Sequence, residues 1–222
     1  MTESIKCIVF DWDGTLMDSE SQIVHCLHMS IADLGLEPMP DDKVKNIIGL
    51  GLREAIDVLV PGRDEKFHRA FVDAYRKHWF AHDGSELFEG ARMVLDRLKA
   101  HNILLGVATG KARKGLVRVL DETGLAGYFD ATRCSDEAFS KPHPQMLQDV
   151  MAELSVSPVE TVMVGDTEYD MEMATNAGAG KIAVRSGVHS EDRLNRHNPL
   201  VCLDTVTDMP GWMRDKGYIP GQ

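Results

Sequence analysis

The chain has 222 residues, 43% of them hydrophobic, enough to bury a core in one large or two modest domains. Its 24 basic and 35 acidic side chains give a formal charge of −11, and no run of Lys or Arg exceeds a pair, which argues against a nucleic-acid partner. No window approaches the roughly 18 uninterrupted apolar residues of a membrane span. The start, MTESIKCIVF, lacks the basic and long apolar regions of an export signal, so the expected location is the cytoplasm. Cys7, Cys26, Cys134 and Cys202 are scattered without ligand-like spacing, which fits reduced thiols better than a disulfide frame or a zinc site.

The short apolar run Ile5–Phe10 reads as a buried strand. It runs straight into DWDGT, where Asp11 and Asp13 add repelling charge at a strand end, and Gly14 permits a tight turn. Asp18 or Ser19 then offers an N-cap for a helix over Glu20–Leu34, in which Ile23, Leu27, Ile31 and Leu34 follow helical spacing before Gly35 stops it. Short helices are predicted at Asp41–Ile48 and Leu52–Leu59, around Gly49 and Gly51. Phe67, Phe71, Ala74 and Tyr75 mark another helix, ending near His82–Gly84. The segment from about Met17 to Gly84 therefore reads as an all-helical insertion.

From there helices and strands alternate: helix Gly90–Ala100, strand Ile103–Ala108, helix Ala112–Thr123, a short strand near Phe129–Thr132 and helix Pro144–Leu154. Strand Thr161–Val164, helix Glu168–Ala177, strand Lys181–Val184 and a last strand Leu200–Leu203 follow. Such alternation predicts an α/β fold, a Rossmann-like parallel sheet covered on both faces, whose ligands bind beyond the carboxyl ends of the strands. The polar residues at those ends are Asp11 and Asp13, Thr109 and Gly110, Lys141 after a loop, and Asp166 with Asp170.

Folded into one sheet, Asp11, Asp166 and Asp170 would crowd hard oxygens into one pocket, tolerable only around a cation. An all-oxygen set favours Mg²⁺ over zinc or copper. Such an ion keeps positions for a phosphate, while the Thr109 hydroxyl, the Gly110 amide and Lys141 match the places where charge accumulates in phosphoryl transfer. Asp11 can then attack phosphorus to give an aspartyl-phosphate, and Asp13 can act as acid for the leaving oxygen, then as base for water.

DWDGTLMDS, the TG after an apolar strand, a lone Lys before Pro in SKPHP, and GDTEYD, in that order, resemble the four motifs of the haloacid dehalogenase (HAD) superfamily, in its phosphoglycolate phosphatase-like branch. The resemblance covers nearly the whole chain. It implies a nucleophile at Asp11, acid/base at Asp13, phosphate donors at Thr109 and Gly110, and the motif lysine at Lys141. It also implies Mg²⁺ ligands at Asp11, Asp166, Asp170 and the Asp13 carbonyl, in a core of residues 1–16 and 85–222 with a helical cap over 17–84. Relatives of this kind reach the leaving group with a cap loop, which makes Arg53 in GLGLREA a candidate anion contact beside the ordinary reading of a solvated helix Arg.

Other features take the bland reading. His25/His28 and His78/His82 lack a third ligand, and the GxG at 49–51 does not follow a strand, so a dinucleotide site fails on context. Lys111 and Arg113 stand close to the TG motif without an assigned role. The expected function is a Mg²⁺-dependent phosphatase of a small phosphorylated metabolite, phosphoglycolate-like or a sugar phosphate. A β-phosphoglucomutase type of mutase shares every motif and remains the alternative, and a non-catalytic ligand-binding HAD-fold protein is the second. The absence of heptads or a long apolar stripe predicts a monomer, with a dimer as the alternative.

Overall fold

The computed structural model describes residues 4–81 and 86–220. From β1 (Cys7–Phe10) the chain turns through a two-residue strand, β2 (Met17–Asp18), into four helices, α1 (Glu20–Asp33), α2 (Asp41–Lys45), α3 (Leu52–Leu59) and α4 (Glu65–Ala81). It returns through β3 (Glu86–Leu87) and then alternates through α5 (Ala91–Ala100), β4 (Leu104–Thr109), α6 (Arg113–Glu122), β5 (Ala131–Cys134) and α7 (Gln145–Leu154). The rest is β6 (Thr161–Gly165), α8 (Glu168–Ala177), β7 (Gly180–Val184), α9 (Glu191–Asn195), β8 (Val201–Leu203) and α10 (Met209–Asp215). Among the described residues no helix is long and apolar enough to cross a membrane.

Six strands form one parallel sheet in the order β5-β4-β1-β6-β7-β8. Strand β1 sits at its centre, so the chain order reverses there, and the crevice beyond its carboxyl end is where such sheets hold ligands. Ile8 and Phe10 bury one face with Leu105, Val107, Val162 and Val164; Cys7 and Val9 bury the other with Ala108, Met146 and Met163. That two-residue alternation with both faces covered explains the near-continuous apolar runs.

The helical layer has its own core, in which Ile23, Leu27 and Ile31 of α1 meet Val44, Ile56, Leu59 and Phe71. Its entry corrects the expectation of helix from Met17 onward. Met17 and Asp18 pair antiparallel with Leu87 and Glu86, so a two-stranded ribbon joins the layer to the sheet. The end expected near His82–Gly84, like the boundary at residues 84 and 85, lies outside the described residues. Strand β5 starts later than Phe129 because Phe129 packs on Trp12, while Asp130 brackets Leu105 through its amide and its carboxylate before the ladder begins. Helices α9 and α10 were not anticipated. A signal for α10 is present in the Pro at the helix start, just after a short 3-10 turn over Val206–Asp208 that the Thr205/Asp208 capping box opens.

Candidate active site

The site begins with Trp12. Its ring is fully buried, edge-on to Phe129 at 6.0 Å, with Nε1 donating to Met17 Sδ at 3.2 Å, while its carbonyl accepts from the amides of Leu16 and Met17. With Trp12 pinned into the core, the flanking Asp11 and Asp13 both reach the crevice that they line. Gly14 takes φ +77, and an added Cβ there, or at Gly187, would collide with the Asp166 carboxylate. Both glycines let backbone approach a buried acid closely.

Asp166 follows the last residue of β6 and is fully buried. Its Oδ1 accepts from Thr15 Oγ1 at 2.9 Å and its Oδ2 from the Val188 amide at 3.1 Å. Asp170 lies in the first turn of α8, where its Oδ2 accepts from Thr167 Oγ1 at 2.6 Å and from the Thr167 amide at 3.1 Å. This is a capping box, and the helix N-terminus favours the carboxylate. Lys141, its ammonium wholly buried, stands 2.8 Å from Asp11 Oδ1 and 2.6 Å from Asp170 Oδ1.

Asp11, Asp166 and Asp170 offer carboxylate oxygens within 4.8 Å of one another. Three buried carboxylates facing one ammonium leave two negative charges uncompensated when all are ionised. Burial accordingly pushes Asp11 well above the ordinary carboxylate range; Lys141 pulls it back, and Asp170 and Asp166 push it further up. Burial and Asp170 together raise Asp166 to about 7. Burial pulls Lys141 down, but Asp11 and Asp170 outweigh it and hold the ammonium above its ordinary range. The remaining oxygen, Asp11 Oδ2, is buried with no hydrogen-bond partner among the described residues. A divalent cation of hard character fits this donor set: it satisfies the orphaned oxygen and matches the missing charge.

Asp13 sits one step outward. Its Oδ1 accepts from Ser19 Oγ at 2.6 Å and pairs with Lys111 Nζ at 2.9 Å. Ser19 occupies the N-cap of α1, but its side chain makes no cap hydrogen bond and holds Asp13 instead, which corrects its reading as a capping side chain; Asp18 is exposed on β2. The Lys111 ammonium lies 4.4 Å from the Trp79 ring centre, and Trp79 stacks on Tyr75 of the same helix. Burial pushes the Tyr75 phenol upward, and the Asp13 charge adds to it.

Thr109 closes β4, is fully buried, and accepts the Lys111 amide at 3.2 Å. Gly110 follows and lines the cavity; a Cβ there would run into the carbonyls of Gly49 and Leu50, so the loop around Gly49 rests directly on it. The Gly51 amide donates to Ser140 Oγ at 2.7 Å, next to Lys141, and Tyr169 Oη donates to the Asn46 carbonyl at 2.8 Å. The partners of Thr15 and Ser140 are not legible in the sequence, because serines and threonines carry no pattern that reports a contact across the chain. Thr167 had a local signal in its T-x-x-D spacing to Asp170.

Arg53 is not brought to the carboxylates. Its guanidinium pairs with Glu65 at 2.7 Å on the surface of the helical layer, though its side chain still reaches the cavity wall. Arg113 is turned to Glu137 and Thr132. His28 and His78 each meet one carboxylate, Asp41 and Asp33; His82 is outside the described residues.

The family model for haloacid dehalogenase-like hydrolases matches residues 8–184 of this chain. The chain belongs to that family. A protein of Dickeya dadantii named probable phosphatase IndB is 34% identical over 211 residues, covering 92% of this chain and 91% of its own length. An N-acetylmuramic acid 6-phosphate phosphatase of Pseudomonas putida is 30% identical over 207 residues, covering 90% and 92%. A hydrolase from Pseudomonas syringae superposes with a TM-score of 0.85 at 19% identity over 95% of this chain and 98% of that one, a likeness that speaks for the fold. Membership agrees with the parallel sheet and the placement of the acidic pocket at its centre.

Proposed function

We propose that this HAD-family hydrolase is a Mg²⁺-dependent phosphatase of a small cytoplasmic phosphorylated metabolite, working through an aspartyl-phosphate on Asp11. The observation that carries the reading is the buried trio Asp11, Asp166 and Asp170 around an orphaned Asp11 oxygen, with one lysine among them, where Asp11 lines a cavity. Relatives at 30% identity or more named as phosphatases, among them a phosphoglycolate phosphatase of Aquifex aeolicus, support the reaction class.

Asp11, Asp166 and Asp170, with the Asp13 carbonyl, would hold Mg²⁺, which when bound neutralises the acids and the phosphoryl oxygens. In this reading Lys141 fixes Asp11 through Oδ1 and supplies positive charge to the incoming phosphate, while the Thr109 hydroxyl and Gly110 amide donate to its oxygens. Asp11 attacks phosphorus, the bond to the leaving oxygen breaks, and Asp13 gives that oxygen a proton. Asp13 then takes a proton from the water that cleaves the acyl-phosphate, which restores Asp11. Ser19 and Lys111 hold Asp13 in place for both steps. Residues 1–16 and 85–222 are the catalytic unit in this account, and residues 17–84 the cap.

Turnover of p-nitrophenyl phosphate by EDTA-treated protein, with Mg²⁺ restored and with the Asp11→Asn variant beside it, tests the proposal. Activity should require both the ion and Asp11. Turnover indifferent to both would overturn it.

A further inference from the structure

The cavity above the carboxylates is large and only partly charged. It measures about 640 Å³ and is walled by Ile23, Leu27, Leu52, Val72, Tyr75 and Trp79 of the helical layer. Sites for whole small molecules run to about 300–1,000 Å³, so a two-carbon acid attached to the phosphate would leave most of the apolar wall uncovered. Five basic residues line it. Arg53 pairs with Glu65, Lys111 with Asp13 and Arg118 with Glu122. Arg76 of α4 and Lys114 of α6, one from the helical layer and one from the sheet domain, have no anionic partner among the described residues. The acids of the wall apart from the catalytic ones are Glu54 and Asp136, and Asp136 already accepts the Arg113 amide at 2.9 Å. Arg76 also borders a second cleft of about 290 Å³, lined by Arg53, Arg69, His68 and Val72 and by the acids Glu65 and Asp73. In a chain of net charge −11, two cations on one cavity wall with no anionic partner among the described residues are a recognition feature for negative charge.

We infer that the substrate is a phosphomonoester whose leaving group carries a broad apolar face and a second anionic group, a carboxylate or another phosphate, with the apolar face against Trp79 and its neighbours and the anion between Arg76 and Lys114. The inference rests on the phosphatase reading and narrows it, excluding phosphoglycolate as the preferred substrate.

Non-hydrolysable phosphonates separate the two. Calorimetric titration of the Mg²⁺-loaded protein should find 4-carboxybenzylphosphonate bound about tenfold more tightly than 4-methylbenzylphosphonate, as one charge-assisted pair at a partly exposed site supplies. Both should bind more tightly than phosphonoacetate. In the double variant Arg76→Gln, Lys114→Gln, whose side chains are exposed on helix surfaces, the ratio between the two aryl ligands should fall to within about twofold. Equal binding of the two aryl ligands, an undiminished ratio in the double variant, or tightest binding of phosphonoacetate each overturns the inference. If these preferences hold while no phosphate ester is turned over, the phosphatase reading fails and the anion site stands; if turnover needs Asp11 and Mg²⁺ but the preferences are absent, the reverse is true.

Discussion

The sheet domain and the helical layer face the same cavity by different means. On the sheet side the buried acids and their lysine are held by hydrogen bonds and ion pairs: Asp166 by Thr15 and Val188, Asp170 by Thr167, Lys141 by Asp11 and Asp170. On the helical side the wall is mostly aliphatic and aromatic, and it touches the sheet domain through a few contacts, such as Gly51 to Ser140, Asn46 to Tyr169 and Trp79 over Lys111. The first arrangement ties each reacting group to named partners, the kind of positioning that catalysis requires. The second can shift or be rebuilt without disturbing the chemistry, as expected of a surface that selects the leaving group.

Substitutions on the two sides should therefore differ in kind. The largest effect is expected from Asp11→Asn, which should lower kcat for p-nitrophenyl phosphate by about a thousandfold or more, as loss of a nucleophile does elsewhere. Lys141→Met comes next and acts on stability as well. Removing the one ammonium from three buried acids should destabilise the metal-free protein by about 3–5 kcal/mol in urea unfolding, because breaking a buried pair strands the other charge. A loss below about 1 kcal/mol would show that the cluster is already neutralised by protons.

Acidity offers a sharper view of the sheet side. The Asp166 carboxyl stands at about 7 against an ordinary value of 3.8, so between those values the native state keeps a proton that the unfolded chain has lost. Asp166 should then contribute a loss of stability to the metal-free protein as pH rises from about 4 to about 7, and Asp11, whose carboxyl is also raised, a loss of the same sign. Binding of Mg²⁺ displaces the proton, so the rise in Tm on adding the ion should be greater near about pH 7.5 than near about pH 5.5. A pH-independent increment would contradict this account of the cluster.

Smaller effects belong to the second set of contacts. Ser19→Ala removes the 2.6 Å hydrogen bond to Asp13 and should lower kcat by about tenfold, with KM little changed. Ser140→Ala strands the Gly51 amide where the loop before α3 rests beside Lys141. It should raise KM about fivefold, the equivalent of about 1 kcal/mol, while leaving most of kcat. If Ser140→Ala damaged kcat as much as Ser19→Ala, the division between chemistry and seating would not hold.

The same division governs what the sequence discloses. Apolar runs ending in Asp11, Thr109 and Asp166 announce buried parallel strands and their carboxyl ends, and α3 and α8 begin and end where periodicity and caps place them. The acids stand out because a strand end is a costly place for charge. The two-residue ribbon at Met17 and Glu86 is too short to show a period, and its pairing is set by residues on either side of the helical layer. Ser19 reads locally as a cap and is diverted by Asp13, and Lys111 finds both its partners, Asp13 and Trp79, only after folding. Arg53 has a partner the sequence does not disclose: Glu65, one helix later, pairs with its guanidinium, while its side chain lines the cavity.

Rapid acid quench of the protein during turnover of a phosphate ester, followed by mass spectrometry of the peptide spanning Asp11, tests the central claim most directly. The account predicts a phosphoryl group on the Asp11 carboxylate that forms only with Mg²⁺ present and accumulates when Asp13 is changed to Asn, since water then lacks its base. Turnover that leaves Asp11 unmodified under both conditions, or a phosphoryl group captured on another residue, would contradict it.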